Sequence, residues 1–156
     1  GYLNFYMHLL LENVTLVQSS AAGEIFEQMF RIGPGDVMLA ISFPRYSART
    51  LECMRFARQH GAQVIGMTDG VMSPLREESD ICLCAHTDMS GFVDSASVLA
   101  PSEMISFVDS MVAPLSMVNA LLVALGLRLG KDVSATFSEL EDIWDAYGVF
   151  GKSDDE

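Results

Sequence analysis

The chain has 156 residues, half of them hydrophobic and only 19% charged, which fits one folded domain with a real core and excludes a disordered chain. Acids outnumber bases 21 to 9, a formal net charge of −12 that excludes a general nucleic-acid surface and confines any anion site to a local patch. Three cysteines, an odd number, and no signal-peptide pattern point to a reducing, cytoplasmic setting.

Leu3, Tyr6, Leu9 and Leu10 share one face at helical spacing, which predicts a helix at the start of the chain. Asn13 breaks the pattern, and Val14 to Gln18 is expected to be a short strand. Ser20 is a candidate N-cap for a helix with Ile25, Met29 and Phe30 on its inner face and Phe26 flanking; Gly33-Pro34-Gly35 stops it. Asp36 to Ser42 encloses the apolar run VMLAI and reads as a strand buried on both faces, as in parallel sheets. A helix follows from about Ser47 to His60, with Leu51, Met54, Phe56 and Ala57 for packing and Gly61 at its stop. Gln63 to Thr68 is the next buried strand, Ser73-Pro74 starts a short helix, and Ile81 to Ala85 is a further strand. Cys82 and Cys84 alternate with Ile81 and Leu83, so both thiols lie on one strand face, with His86 continuing the alternation. A metal site would need more ligands nearby, so the pair reads as two small buried hydrophobes.

His86 to Pro101 has few periodic signals and is expected to loop over the carboxyl edge of the sheet. A long apolar helix runs from about Ser102 to Leu129. Its segment Ser110 to Leu127 carries no charge and has about the length of a minimal membrane span. Pro114, Ser116 and Asn119 interrupt it and Asp109 adjoins it, so a buried or subunit-interface helix is expected, with Met104, Met111 and Met117 candidates for a dimer face. A last amphipathic helix holds Leu140, Ile143, Trp144 and Tyr147, with Thr136 and Glu139 spaced as a capping box. Strands alternating with helices across short links predict an α/β fold with a parallel sheet. Residues 1–147 are expected to form one domain and residues 148–156 an acidic tail.

In open α/β sheets ligands bind beyond the carboxyl ends of the strands. The best candidate there is Ser42-Phe43-Pro44-Arg45-Tyr46-Ser47-Ala48-Arg49-Thr50, which joins a strand to a helix. It offers hydroxyls at Ser42, Ser47 and Thr50, guanidiniums at Arg45 and Arg49, and the positive end of a helix. Phosphate needs several donors converging on one point, and arginine adds a bidentate fork. Thr68 ends the neighbouring strand and is a further candidate; Asp69-Gly70 after it is a plain turn signal.

The stretch ISFPRYSART resembles the second phosphate-binding motif of the sugar isomerase (SIS) fold, Ser-x-Ser-Gly-x-Thr. Ser42 matches its first serine and Ser47 its threonine, while Pro44 and Arg45 stand where the motif has serine and glycine. Gly66-Met67-Thr68, Ser73-Pro74-Leu75 and Ser79-Asp80 are similar to the later strands of that fold, and FPRYS with Ser106 to Leu122 looks most like the sensor domains of RpiR-type regulators. The resemblance implies a three-layer α-β-α, flavodoxin-like domain that binds a sugar phosphate, uses no cofactor or metal, forms a homodimer, and reaches DNA only through a helix-turn-helix domain absent from this chain. It also implies that Ser42, Arg45, Tyr46, Ser47, Arg49, Thr50, Thr68, Ser102 and Glu103 surround the ligand, with no catalytic residue and no membrane attachment. SIS domains open with a strand and a Gly-x-Gly-x-Ser turn, neither of which precedes the first helix here. The expectation is therefore a fragment whose missing strand would lie between Val14–Gln18 and Asp36–Ser42; direct pairing of those two segments would refute it. The alternative function is a sugar-phosphate isomerase with Glu103 as base, aided by His86.

Overall fold

The computed structural model describes residues 1–18, 22–87, 111–130 and 133–149. Five helices and three strands run along them: α1 (Tyr2–Leu10), α2 (Ala22–Met29), β1 (Val37–Ile41), α3 (Ala48–Gln59), β2 (Gln63–Thr68), β3 (Ile81–Cys84), α4 (Val112–Leu129) and α5 (Val133–Ala146). They divide into two compact units, Gly1–Leu16 with Val118–Glu156, and Val17–Met117.

The Val17–Met117 unit holds the sheet, three parallel strands in the order β1-β2-β3. Val37 stands opposite Gln63 and Ile41 opposite Met67, while Ile65 to Thr68 pair with Ile81 to Cys84. With a neighbour on each side, β2 is the best buried strand: Val64 and Met67 are fully enclosed, as is the Thr68 side chain. Gly66 lies on the same strand because a Cβ there would run into the Ser79 hydroxyl, which donates to the Leu75 carbonyl at 2.6 Å. The apolar face of α3 supplies Cys53, Met54 and Ala57 to a core with Ile25, Met29, Ala40, Ala62, Val64 and Leu75. Phe26 packs edge-on against Phe56, joining α2 to α3 (centroids 5.4 Å apart).

Several local expectations change. Val14–Gln18 forms no strand and does not pair with β1; the Gln28 side-chain amide instead takes both the N–H and the carbonyl of Gln18, each at 3.2 Å. A side chain there satisfies backbone groups that a strand would otherwise pair. β1 is not buried on both faces: only Ala40 is enclosed, because β1 has a single strand neighbour among the described residues. Phe30 lies outside the core, since α2 ends at Met29 and its ring sits instead beneath the Arg31 guanidinium, 5.0 Å away. Ser73-Pro74 starts a run of turns rather than a helix. That segment must rejoin the sheet at once, where Val64 N–H bonds the Asp80 carboxylate (2.7 Å) and Asp80 N–H bonds the Val64 carbonyl (2.8 Å).

In the other unit, α1 buries Leu10, and the Tyr2 hydroxyl donates to Asn119 of α4 at 2.8 Å. Along α4 the buried positions Pro114, Val118 and Leu122 recur every fourth residue, while Val112, Leu115, Val123 and Leu127 are exposed. Among the described residues, α4 is the one helix long and apolar enough to cross a membrane. α5 begins at Val133, so Thr136 lies inside the helix and does not cap it. Its inner face holds Phe137, Leu140 and Trp144, leaving Ile143 and Tyr147 exposed. The expected loop over 88–101, the start of the long helix and most of the acidic tail lie outside the described residues.

Candidate functional site

The candidate site lies at the carboxyl ends of β1 and β2. Parallel pairing carries both strands the same way, so the turn after β1 and the segment after β2 emerge side by side. The Ser42 N–H reaches back to the Met67 carbonyl (3.1 Å) and holds the turn against β2.

Within the turn, Ser47 N–H bonds the Ser42 hydroxyl oxygen, and Thr50 N–H bonds the Ser47 hydroxyl oxygen, both at 3.3 Å. The second contact makes Ser47 the N-cap of α3, as the sequence indicates. In these bonds both serines act as acceptors. A hydroxyl that accepts can also donate its one hydrogen. Thr50 N–H bonds the cap and Leu51 N–H the Ser47 carbonyl, so α3 opens with its positive end at the turn. Such a helix start favours an anion.

Arg45 adopts φ +68°, the only positive value among the described non-glycine residues. This left-handed conformation suits glycine and costs other residues about 1 kcal/mol or more. It falls at the position where the phosphate motif has glycine, so a guanidinium stands in a conformation that glycine adopts without strain. Arg45 is exposed, and Arg49 and Thr50 are half-buried at the start of α3.

Tyr46 turns towards β2, where its hydroxyl donates to Asp69 Oδ1 at 2.7 Å. Thr68 Oγ1 lies 3.0 Å from the same carboxylate oxygen and 2.7 Å from Ser73 Oγ, which in turn accepts the Leu75 N–H. Burial pushes the Tyr46 phenol above its usual range, and the hydrogen bond to Asp69 and that residue's charge push it further, against a smaller opposing effect of Ser73. Tyr46 therefore stays a protonated donor at neutral pH. Thr68 is fully buried with its hydroxyl on Asp69 and Ser73, so it supports the rim of the site.

The structure thus brings Ser42, Arg45, Tyr46, Ser47, Arg49, Thr50 and Thr68 to one end of the sheet. Ser102 and Glu103 lie outside the described residues. Sequence reasoning missed Asp69 as the hub of this network. Its only sequence signal is Thr-Asp-Gly at a strand's carboxyl end, a pattern that also marks an ordinary turn.

The pattern of the SIS domain family matches residues 2–124, most of the chain. The chain belongs to the SIS domain family. Its fold is the three-layer α/β/α class with a parallel sheet, shared with the sugar isomerase domain of the RpiR transcription factor from Sphaerobacter thermophilus (TM-score 0.68, 22% identity, covering 90% of this chain and 70% of that one). The Vibrio vulnificus NanR protein, solved in complex with ManNAc-6P, has a similar fold (TM-score 0.65, 15% identity, 97% of this chain and 51% of that one). The glutamine–fructose-6-phosphate aminotransferase (isomerizing) of Thermotoga maritima is 36% identical over 84 residues, 53% of this SIS chain but 14% of the enzyme. The phosphoheptose isomerase of Thiobacillus denitrificans is 30% identical over 81 residues, 50% of this chain and 41% of the enzyme. The matched segments are therefore a minor part of both curated relatives.

Proposed function

We propose that this SIS domain is the phosphosugar-sensing, non-catalytic effector module of a cytoplasmic bacterial transcription regulator. The phosphate docks on the Ser42 and Ser47 hydroxyls and the first amides of α3, and Arg45 and Arg49 supply charge. The sugar extends towards Thr68, Ser102 and Glu103. The observation that carries this reading is the Ser42–Thr50 turn, whose internal bonds end on the hydroxyl oxygens of Ser42 and Ser47; a hydroxyl that accepts in this way can still donate its hydrogen to an anion. The NanR complex with ManNAc-6P supports a sugar phosphate as the ligand class. The module acts as a homodimer within a longer protein, and ligand binding shifts the dimer arrangement and thereby an attached helix-turn-helix domain.

Calorimetric titration with a panel of aldose, ketose and N-acylamino-sugar phosphates, beside the unphosphorylated sugars, tests it. At least one phosphosugar should bind, its parent sugar should not, and S47A should weaken binding about tenfold or more through loss of a charge-assisted hydrogen bond. Absence of binding across the panel, or binding indifferent to the phosphate, overturns the reading.

Both curated relatives are enzymes, which favours one second reading, a sugar-phosphate isomerase with Glu103 as base and His86 assisting. Turnover by the parent chain that E103Q abolishes while binding persists would establish it; a parent chain that binds without turnover rejects it.

A further inference from the structure

We propose that Cys82 and Cys84 form a two-thiolate site for a soft metal ion, with Cu(I) as its biological representative. The pair lies on β3, where Cys84 stands opposite Thr68, and neither thiol belongs to the Ser42–Thr50 turn. Strand alternation puts both side chains on one face, and the two Sγ atoms lie 3.9 Å apart. Both thiols are only half-buried, so an ion can reach them, whereas Cys53 is enclosed in the core.

The separation selects among the possible chemistries. A disulfide needs sulfurs about 2.0 Å apart and Cα atoms within about 6.8 Å. Two residues of extended strand span about 6.6 Å, at the far end of that range, and the sulfurs stand 3.9 Å apart, well beyond bonding distance. A shared ion needs no such closure. With metal–sulfur bonds of about 2.3 Å, two thiolates separated as here subtend about 115° at the ion, and spreading them to about 4.6 Å makes the pair linear.

The ligand count selects the ion. Among the described residues no cluster of three or more His, Cys, Asp or Glu side chains is placed to hold a metal, so a closed four-ligand zinc site does not fit. Thiolate pairs suit Cu(I), a soft cation that accepts few ligands. On binding, two S–H bonds break and two S–Cu bonds form. Both protons pass to solvent and copper stays monovalent, so no oxidant or reductant is involved.

The test uses the reduced full chain under anaerobic conditions, with Cu(I) supplied in competition with a chromophoric chelator such as bathocuproine disulfonate. The chain is expected to withdraw one copper ion per molecule and to develop thiolate-to-copper absorption in the near ultraviolet. C82S and C84S should each weaken binding by more than about 100-fold, beyond the loss expected from an outer-shell partner, while C53S retains it. Circular dichroism checks that the variants fold. In parallel, copper should shield Cys82 and Cys84 of the parent chain from alkylation, read by peptide mass. Copper retained by C82S/C84S, no withdrawal from the chelator, or undiminished alkylation of the two thiols overturns the proposal.

Discussion

Arg45 keeps a guanidinium in a backbone conformation that glycine would occupy without strain. If Arg45 serves the proposed phosphate site, stability and ligand affinity pull in opposite directions at this residue. R45G should leave thermal stability unchanged or raise it by up to about 1 kcal/mol, while phosphosugar affinity falls; R45A should lose affinity without gaining stability, because the strain persists. Differential scanning calorimetry beside ligand titration separates the two, and a destabilised R45G would show that the side chain serves the fold. Tyr46 is the complementary case, a side chain that positions the turn through Asp69. Y46F should cost about 1.5 kcal/mol, the lower end for a hydrogen bond to a charged group. The phenol's folded pKa is raised above its unfolded value near 10. Its contribution is therefore complete below that pH and is lost as pH climbs through the folded pKa. Parent and Y46F should differ by a constant amount in urea midpoint at neutral pH and converge in strong alkali.

At the scale of elements, β2 and the turn after it act as one unit. Gly66 leaves the space that the Ser79 hydroxyl fills, and Ser79 ties back to Leu75, itself fully buried. G66A should destabilise by about 2 kcal/mol through overpacking. G66A/S79A should recover a large part of that loss, because the Ser79 Cβ stands at an ordinary 3.4 Å from the added methyl. Chemical denaturation of the single and double variants measures the coupling; a double variant no better than the sum of its parts would place the clash elsewhere. The same turn shows where local sequence signals fail. Ser73-Pro74 has good helix-start chemistry, and Ser73 does accept the Leu75 N–H, yet the chain must reach β3 within a few residues and has no length for a helix.

For the whole molecule, the open question of assembly centres on α4. Only every fourth residue of its first half is buried, and Val123 and Leu127 are 63% and 79% exposed on a helix with almost no charge. Apolar surface of this kind marks an interaction face. If it is the dimer interface of the proposed sensor, V123E/L127E should convert a dimer to a monomer in sedimentation equilibrium, with helix content retained because neither residue packs in the core. An unchanged molecular mass would move the interface to another face.

The sequence by itself determined the α/β class, the three parallel strands, the Ser47 cap and the family, because each rests on local periodicity, turn chemistry or a motif in consecutive residues. It read the Ser42–Thr50 turn as an anion site from residue types alone. Tertiary structure decided what those residue types do. It gave Arg45 the backbone of a glycine, turned Tyr46 away to Asp69, and set Cys82 and Cys84 half-open on β3 where the pattern reads as core. It also decided that Val14–Gln18 is no strand and that only Ala40 of β1 is enclosed. Burial and pairing depend on which neighbour arrives from elsewhere in the chain, and a stretch of sequence does not record which neighbour that is.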